Sequence, residues 1–511
     1  MDRYTFETRC WLDLRFSPEV HRHFGSAYEP YQPLHGLAPG AWGPNQVLMY
    51  ARCVRLLGAL EALGAGSFLD VGGAEGWIAR MVADRFGVEA ASVDLSHEAA
   101  LRAAEYCEVP AAAVDSARLP FADGAFDFVF LSEVLEHLAN PVRSLLECRR
   151  VARRGVIVTT EAFAADEAAR AEELAERRLS PHMDRSIFCP EDFDLVFGGW
   201  RLSRSNQCRN LPDPLPGDVD AARSFLREGL GETGLDWPAH GIVIVATRDE
   251  EPPAFPGDFA ATLDWVRDWF APAEAGPRPL DGGRGLPEAL ARRIVAPHDR
   301  SPLVAVEGGL RAPDGRVFPV RAGVPDLVTR PEEPFARSLD AVLEEAFPED
   351  AARREGLREL ARKLRFDLPT PSEERRFLDR DDEGWERGEG VVREGDGGEG
   401  LVYRASDDDP NLLSPRVLVP AAAVRGFSVE VAADGGGEEE LQIFWHTLRR
   451  PVWWAGGCWT ASYPADDAWH RLECRFDEGL PGPEGDELLR LRLDPRHRAG
   501  GFRLRGLEIR V

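Results

Sequence analysis

The chain has 511 residues, more than one hydrophobic core holds, and its length predicts roughly three domains. Its 88 acidic side chains against 61 lysines and arginines give a net charge of -27, which argues against a nucleic-acid partner bound through its phosphates. Eight dispersed cysteines without a Cys-x-x-Cys pair, a charged N-terminus and no apolar run of bilayer length predict a cytoplasmic protein with reduced thiols and no membrane span.

The first strongly periodic segment is a helix that begins near Asn45 and ends before the Gly-Ala-Gly stop at 64–66. An aromatic, loop-like stretch precedes it, and two interpretations of that stretch stay open. Its side chains either form an N-terminal lid over a substrate or pack in the core. The aromatic and histidine residues concerned are Tyr28, Tyr31, His35 and Trp42.

From Ser67 onward, short apolar strands alternate with amphipathic helices. Strands are predicted at 67–71, 89–94, 126–131 and 155–160, with two last strands at WRLSRSN and 241–248, and helices at 77–86, 98–106 and 141–151. Such alternation is typical of βαβ units on a parallel sheet. The fold class predicted for residues 1–249 is therefore α/β and Rossmann-like.

A glycine-rich turn in LDVGGAEGW connects the first strand of this series to the next helix. Glycine at Gly72 and Gly76 permits a sharp turn and leaves room for a ligand near the backbone. An acidic residue, Asp94, ends the second strand about twenty positions later, where a carboxylate accepts hydrogen bonds from both ribose hydroxyls. The spacing predicts a nucleoside-containing cofactor.

The stretch VDSARLPFADGAFDFVFLSEVLEHL then places Asp115 after a third strand and Leu131 near the end of a fourth. With this stretch the chain resembles the class I S-adenosylmethionine-dependent methyltransferases, especially the group that includes the ubiquinone/menaquinone methyltransferases. The resemblance covers residues 67–160 and, less specifically, extends to 247. It implies S-adenosylmethionine as the cofactor, and a nicotinamide dinucleotide is disfavoured because a pyrophosphate site needs the full set of glycines.

The resemblance also implies roles for individual residues. Asp70 and Gly72 would face the methionine part, Asp94 the ribose, and Asp115 with the Ser116 amide the adenine. Leu131 would flank the sulfonium through its backbone, and Gly76 would allow close helix packing. Gly73 and Leu95 complete the predicted cofactor-binding set. One departure is Ala74, which stands where the family has the middle glycine of its motif.

Catalytic candidates follow the fourth strand. Glu133 and His137 are predicted to share a helical face at i, i+4, as a base or, with Glu136, a divalent-metal cluster, although packing of His137 as part of the motif is favoured. The preferred general base is His182 in SPHMDRS, and a surface-loop histidine is the alternative. No metal is predicted.

After a Pro- and Gly-rich linker at 250–285 with one short helix, residues 286–331 resemble a Trm112-type module. The family's zinc-cysteine positions hold Ala296 and Asp299 here, and no cysteine lies between Cys208 and Cys458, so a thiolate zinc site is excluded. Because Trm112 proteins bind and activate class I methyltransferases, the resemblance implies a partner in cis for the first domain. A simple spacer is the alternative.

Charged helices are predicted in a connector at 332–370, and residues 371–511 read as an antiparallel β-sandwich rich in tryptophan. Phrases such as LQIFW and GFRLRGLEIRV resemble jelly-roll modules of bacterial polysaccharide-biosynthesis enzymes. The tryptophans either pack in the core or stack on sugar rings.

The function predicted from these features is O-methylation of a saccharide or related small molecule in surface-glycan assembly. Two alternatives stay open: a methyltransferase of tRNA or of a translation protein, and a non-catalytic glycan-binding protein on a methyltransferase scaffold. The acidic charge counts against RNA.

Overall fold

In the computed structural model, the chain divides into two compact units, residues 1–366 and 367–511. Within them, the structure describes residues 3–17, 44–175, 186–208, 240–252, 260–270, 286–328, 338–364, 376–378, 385–388, 390–396, 400–406, 409–450, 455–481 and 485–511. The predicted aromatic lid residues and His182 lie outside these ranges. No helix in the described ranges is both long enough and apolar enough to span a bilayer.

A seven-stranded sheet with strand order β3-β2-β1-β4-β5-β7-β6 forms the centre of the first unit. Its strands are β1 Phe68–Val71, β2 Ala90–Asp94, β3 Ala111–Ala113, β4 Phe126–Ser132, β5 Ala152–Thr160, β6 Arg201–Cys208 and β7 His240–Thr247. The first five strands are parallel and β7 runs antiparallel to both of its neighbours. The α/β, Rossmann-like prediction is confirmed, with a mixed rather than a purely parallel sheet.

Helices cover both faces of this sheet, because each central strand is apolar on both sides. In β4, Phe128 and Phe130 point into one core while Val129 and Leu131 point into the other. The helices of the unit are α1 Arg3–Phe16, α2 Pro44–Leu63, α3 Trp77–Phe86, α4 His97–Tyr106, α5 Pro141–Val151, α6 Glu167–Ala175, α7 Asp192–Val196, α8 Ala260–Phe270, α9 Glu288–Ala291, α10 Leu339–Ala346 and α11 Ala351–Leu364.

Residues 286–328 add a small antiparallel sheet at the β3 edge. Its strands are β8 Val304–Val306, β9 Gly309–Arg311, β10 Val317–Arg321 and β11 Val324–Pro325. Directly after β11, Asp326 forms a parallel bridge with Ala113, and the Leu327 amide donates to the Ala113 carbonyl at 2.9 Å. This segment therefore continues the central sheet and covers an edge that is otherwise open to pairing.

The second unit consists of two antiparallel sheets of six strands each. Residues of both sheets, such as Phe427 and Trp445, share one core, so the unit is a β-sandwich. Its strands are β12 Arg376–Phe377, β13 Glu386–Arg387, β14 Val391–Asp396, β15 Leu401–Ala405, β16 Leu412–Leu413, β17 Val419–Pro420, β18 Gly426–Ala433, β19 Glu438–Thr447, β20 Cys458–Pro464, β21 His470–Arg475, β22 Glu487–Asp494 and β23 Gly500–Arg510.

Candidate cofactor and acceptor site

A pocket lies at the carboxyl ends of β1, β2 and β4, where open α/β sheets bind their ligands. The Gly-rich turn, the ends of these strands, the loop after β4 and the inner face of α1 surround it. Its lining includes Tyr4, Thr5, Thr8, Leu12, Phe16, Met49, Arg52, Gly72, Ala74, Asp94, Leu95, Asp115, Ser116, Ser132, Glu133, Val134, His137, Leu138, Asn140 and Ser144.

The turn between β1 and α3 leaves no room for side chains at two of its glycines. Gly72 has a φ of 75°, and a Cβ there would lie 2.3 Å from the Val134 Cγ2 atom. A Cβ on Gly73 would lie equally close to the Ser92 Oγ atom. Ala74 also adopts a left-handed φ, 47°, which a residue with a Cβ rarely does. Its side chain packs against Leu12 of α1.

Asp94, the predicted ribose ligand, faces the pocket and is held by the backbone. Its Oδ2 atom accepts a hydrogen bond from the Ala74 amide at 3.0 Å and its Oδ1 atom accepts one from the Ser96 amide at 2.9 Å. Burial raises the pKa of Asp94 to about 6, although these two amides act in the opposite direction. The carboxylate is thus oriented for a ligand before one binds.

Asp70 lies behind the turn, beside Gly73, and does not line the pocket itself. Its Oδ2 atom is buried and accepts no hydrogen bond within the described part of the chain. Burial, reinforced by the charge of Asp94, raises the pKa of Asp70 to about 7. Two neighbouring buried carboxyl groups favour a cationic ligand, which fits the ammonium and sulfonium of S-adenosylmethionine and does not fit a pyrophosphate.

The other predicted cofactor residues divide into two groups. Leu95, Asp115 and Ser116 line the pocket, and the Ser116 hydroxyl lies 2.9 Å from that of Ser144. Leu131 is fully buried, with its side chain in the core beneath the sheet. A Cβ on Gly76 would lie 2.8 Å from that of Ala103, so α3 and α4 approach closely here. Their contacts with a cofactor stay predictions.

Glu133 and His137 both line the pocket, but the prediction of a shared helical face is wrong. Glu133 has a φ of 50°, and only a short 3₁₀ turn, Leu135–His137, follows. The reason is that the Glu133 amide still pairs with the Thr159 carbonyl at 3.0 Å, as an extension of β4. The chain therefore reverses at Glu133 instead of entering a helix. Within the described residues, no group of three potential ligands for a metal ion occurs.

The Glu133 carboxylate is contacted from two sides. It lies at the end of the pocket where α2 contributes Arg52. Its Oε1 atom lies 3.2 Å from the Nε of Arg52, and its Oε2 atom accepts a hydrogen bond from the Glu161 amide at 2.7 Å. Arg52 is 8% exposed and also pairs with the Glu161 carboxylate. These contacts fix the carboxylate in position next to the pocket.

Sequence reasoning missed several pocket residues: Arg52 and the inner face of α1. Arg52 lies on a correctly predicted helix, but a single charge among apolar positions gives no sign of what it contacts. Helix α1 contributes Tyr4, Thr8 and Leu12 to the pocket. One local signal is the i, i+4 pair Arg9 and Asp13, 3.4 Å apart, which indicates a helix but no site.

Residues 69–160 match the family model described as a methyltransferase domain. Among similar solved structures, an S-adenosylmethionine-dependent methyltransferase from Thermotoga maritima is 18% identical, with 47% of this chain and 99% of that chain covered and a TM-score of 0.32. Magnesium protoporphyrin IX methyltransferase from Synechocystis, with bound S-adenosylhomocysteine, is 14% identical, with coverage of 47% and 98% and a TM-score of 0.31. A chain of a Haloferax volcanii complex between the Trm112 methyltransferase activator and a methyltransferase is 16% identical, with coverage of 40% and 96% and a TM-score of 0.29. A search of curated proteins found no match.

Proposed function

We propose that this chain, whose residues 69–160 match a methyltransferase domain, uses S-adenosylmethionine to methylate a hydroxyl oxygen of a saccharide or a related small molecule. The observation that carries the proposal is the Glu133 carboxylate beside the pocket, fixed by Arg52 at 3.2 Å. A hydroxyl group is a weak nucleophile until it loses its proton, and a positioned carboxylate supplies the base.

Bound S-adenosylmethionine supplies the methyl group on a sulfonium. When an acceptor hydroxyl is methylated it loses its proton, and a Glu133 carboxylate oxygen would accept that proton. Arg52 orients that carboxylate before the acceptor arrives. Asp94, which faces the pocket, would orient the cofactor.

The backbone at Glu133 supports a functional role for this residue. A glutamate at a φ of 50° is strained by roughly 1–3 kcal/mol, and such strain is concentrated at functional sites. It directs the carboxylate toward Arg52 instead of along a helix. His137 lines the same pocket and is the second candidate base, while His182 lies outside the described residues.

The shape and polarity of the pocket also support a small acceptor. Hydroxyl and amide side chains from Tyr4, Thr8 and Asn140 line it beside the apolar Met49 and Val134. Such mixed lining suits a molecule that carries hydroxyl groups on an apolar frame. The lining therefore supports a small, hydroxyl-bearing molecule as the class of acceptor.

The test combines cofactor titration with an acceptor screen. Titration with S-adenosylhomocysteine should give a Kd of roughly 1 µM, about -8 kcal/mol, that is lost in Asp94→Ala. With labelled S-adenosylmethionine, nucleotide-sugars and glycans should be methylated, and Glu133→Gln should lower kcat by about 100-fold or more while leaving the cofactor Kd within about threefold. Failure to label any hydroxyl compound, or full activity of Glu133→Gln, would contradict the proposal.

The second candidate is methylation of tRNA or of a translation protein, aided by residues 286–331 as a Trm112-like activator in cis. The observation in its favour is the bridge between Asp326 and Ala113, by which this segment continues the methyltransferase sheet. Filter binding and labelling with bulk tRNA separate the two candidates. If tRNA becomes labelled and saccharides do not, the second candidate function is favoured.

A further inference from the structure

Helix α1 forms a roof over the cofactor pocket. Its residues Tyr4, Thr8, Leu12 and Phe16 line the pocket, and Leu12 and Phe16 pack with Ala74 of the Gly-rich turn. Any ligand held by the turn therefore lies beneath α1. Movement of α1 away from the turn would uncover such a ligand.

The inner side of α1 is tied to the loop that orients Asp94. The Asp13 Oδ1 atom accepts a hydrogen bond from the Ser96 hydroxyl at 2.7 Å and lies 3.3 Å from the Glu98 amide. Ser96 in turn donates its amide to Asp94. The position of α1 and the orientation of the predicted ribose ligand are thus linked by hydrogen bonds.

The face of α1 that carries Asp13 is also tied, through Arg9, to a residue far along the chain. The Arg9 Nη2 atom lies 2.5 Å from the Asp326 Oδ2 atom, and the Arg9 Nε atom lies 3.4 Å from Asp13. The Arg9 and Asp326 side chains are only 15% and 20% exposed, so water screens this ion pair less than it screens a surface pair.

Asp326 has a fixed backbone because it belongs to the extension of the sheet. Its amide donates to the Pro319 carbonyl at 2.8 Å, and the residue bridges Ala113 at the end of β3. An ion pair to such a point restrains the helix that carries the other partner. Arg9 is the link between the rigid sheet and the roof.

We infer that Asp326 is a positioning residue for the cofactor: through Arg9 and Asp13, it holds α1 closed over the bound cofactor. The inference rests on the proposed function, since it assumes that the pocket holds S-adenosylmethionine. It assigns residues 286–328 a specific task in the methyltransferase, which is to slow cofactor release. Asp326 itself is not among the described residues that line the pocket.

The test uses the full chain with Asp326→Asn, which removes the charge and keeps the size of the side chain. Release of tritiated S-adenosylmethionine into excess unlabelled cofactor should be about three- to tenfold faster, as expected for loss of a partly buried ion pair. Hydrogen exchange of residues 3–17 should rise while that of residues 304–325 stays unchanged. Arg9→Gln should give the same result from the other partner, and the double variant should add nothing further.

Arg321→Gln is the matched control, because it removes another ion pair of the same segment, with Glu98 of α4, and leaves the Arg9–Asp326 pair in place. Release within twofold of wild type in Asp326→Asn, or equal acceleration in the control, would overturn the inference. If wild-type protein retains no cofactor, the proposed function fails. In that case, comparing the hydrogen exchange of α1 in cofactor-free wild type and Asp326→Asn still decides whether Asp326 restrains the helix.

Discussion

Two neighbouring carboxyl groups, Asp70 and Asp94, are buried at the cofactor site with pKa values of about 7 and about 6. Burial is the main cause in both, because it disfavours the charged form. A ribose hydroxyl donates a hydrogen bond to a carboxylate oxygen, and a protonated carboxyl group offers fewer acceptor sites for that hydrogen bond. The ionisation of Asp94 is therefore linked to cofactor binding.

We expect cofactor affinity to fall as the pH is lowered through 6. Since the pKa of Asp94 is raised, its carboxylate is lost below about pH 6, and affinity should then fall by up to about tenfold per pH unit. Titration with S-adenosylhomocysteine between pH 5 and 8 measures the effect. Asp94→Asn should bind more weakly and with a flatter profile; an unchanged profile in this variant would show that another group is responsible.

Ala74 shows how one residue adapts to a position that favours glycine. It occupies the left-handed region at a φ of 47°, at a cost of roughly 1–2 kcal/mol. Its methyl group packs in one apolar cluster with Leu12 and Phe16 of α1, which offsets part of that cost. The departure from the family's glycine pattern is thus associated with the helix that covers the pocket.

At the scale of elements, the contact between α3 and α4 depends on one glycine. Gly76 precedes α3, and a Cβ there would lie 2.8 Å from the Ala103 Cβ and 2.9 Å from a Val109 methyl group. Gly87 follows the same helix with a similar φ, 66°, and nothing lies within 4 Å of the Cβ position. The two positions differ in packing but not in backbone conformation.

We expect Gly76→Ala to destabilise the protein by about 1–3 kcal/mol more than Gly87→Ala does. Both substitutions place a Cβ in the left-handed region, but only the first also overpacks the contact with α4. Calorimetric unfolding of the two full-length variants measures the difference. Equal losses of unfolding free energy in the two variants would mean that α4 shifts at no cost in stability.

At the scale of the whole molecule, the two compact units have separate hydrophobic cores. The cores of the first unit contain no residue beyond Leu364, and the core of the sandwich begins at Leu378. Among the described residues, no side chain belongs to both sets of cores. Each unit therefore has the apolar packing that independent folding requires.

We expect residues 1–366 alone to bind S-adenosylhomocysteine within about threefold of the full chain, because every residue that lines the pocket lies in this unit. Residues 367–511 alone should show a β-type circular dichroism spectrum and cooperative unfolding. Titration and spectroscopy of the two fragments check this. Aggregation of the first fragment, or loss of its affinity, would contradict the separation of the cores.

The amino-acid sequence by itself determined the α/β pattern, the Gly-rich turn and the strand-end positions of Asp94 and Asp115. These features depend on local periodicity and on glycine at sharp turns, so they are visible within about thirty residues. The same reasoning failed at Glu133, because pairing with Thr159 of the neighbouring strand overrides the local preference for a helix.

Only the tertiary structure decided what covers and completes the site. Arg9 and Asp326 are 317 positions apart, and neither residue type nor spacing indicates that they meet. The same holds for Arg52, whose partners Glu133 and Glu161 directly follow β4 and β5. Long-range pairing of charged residues leaves no periodic signal in a sequence, because it arises only when the sheet brings distant segments together.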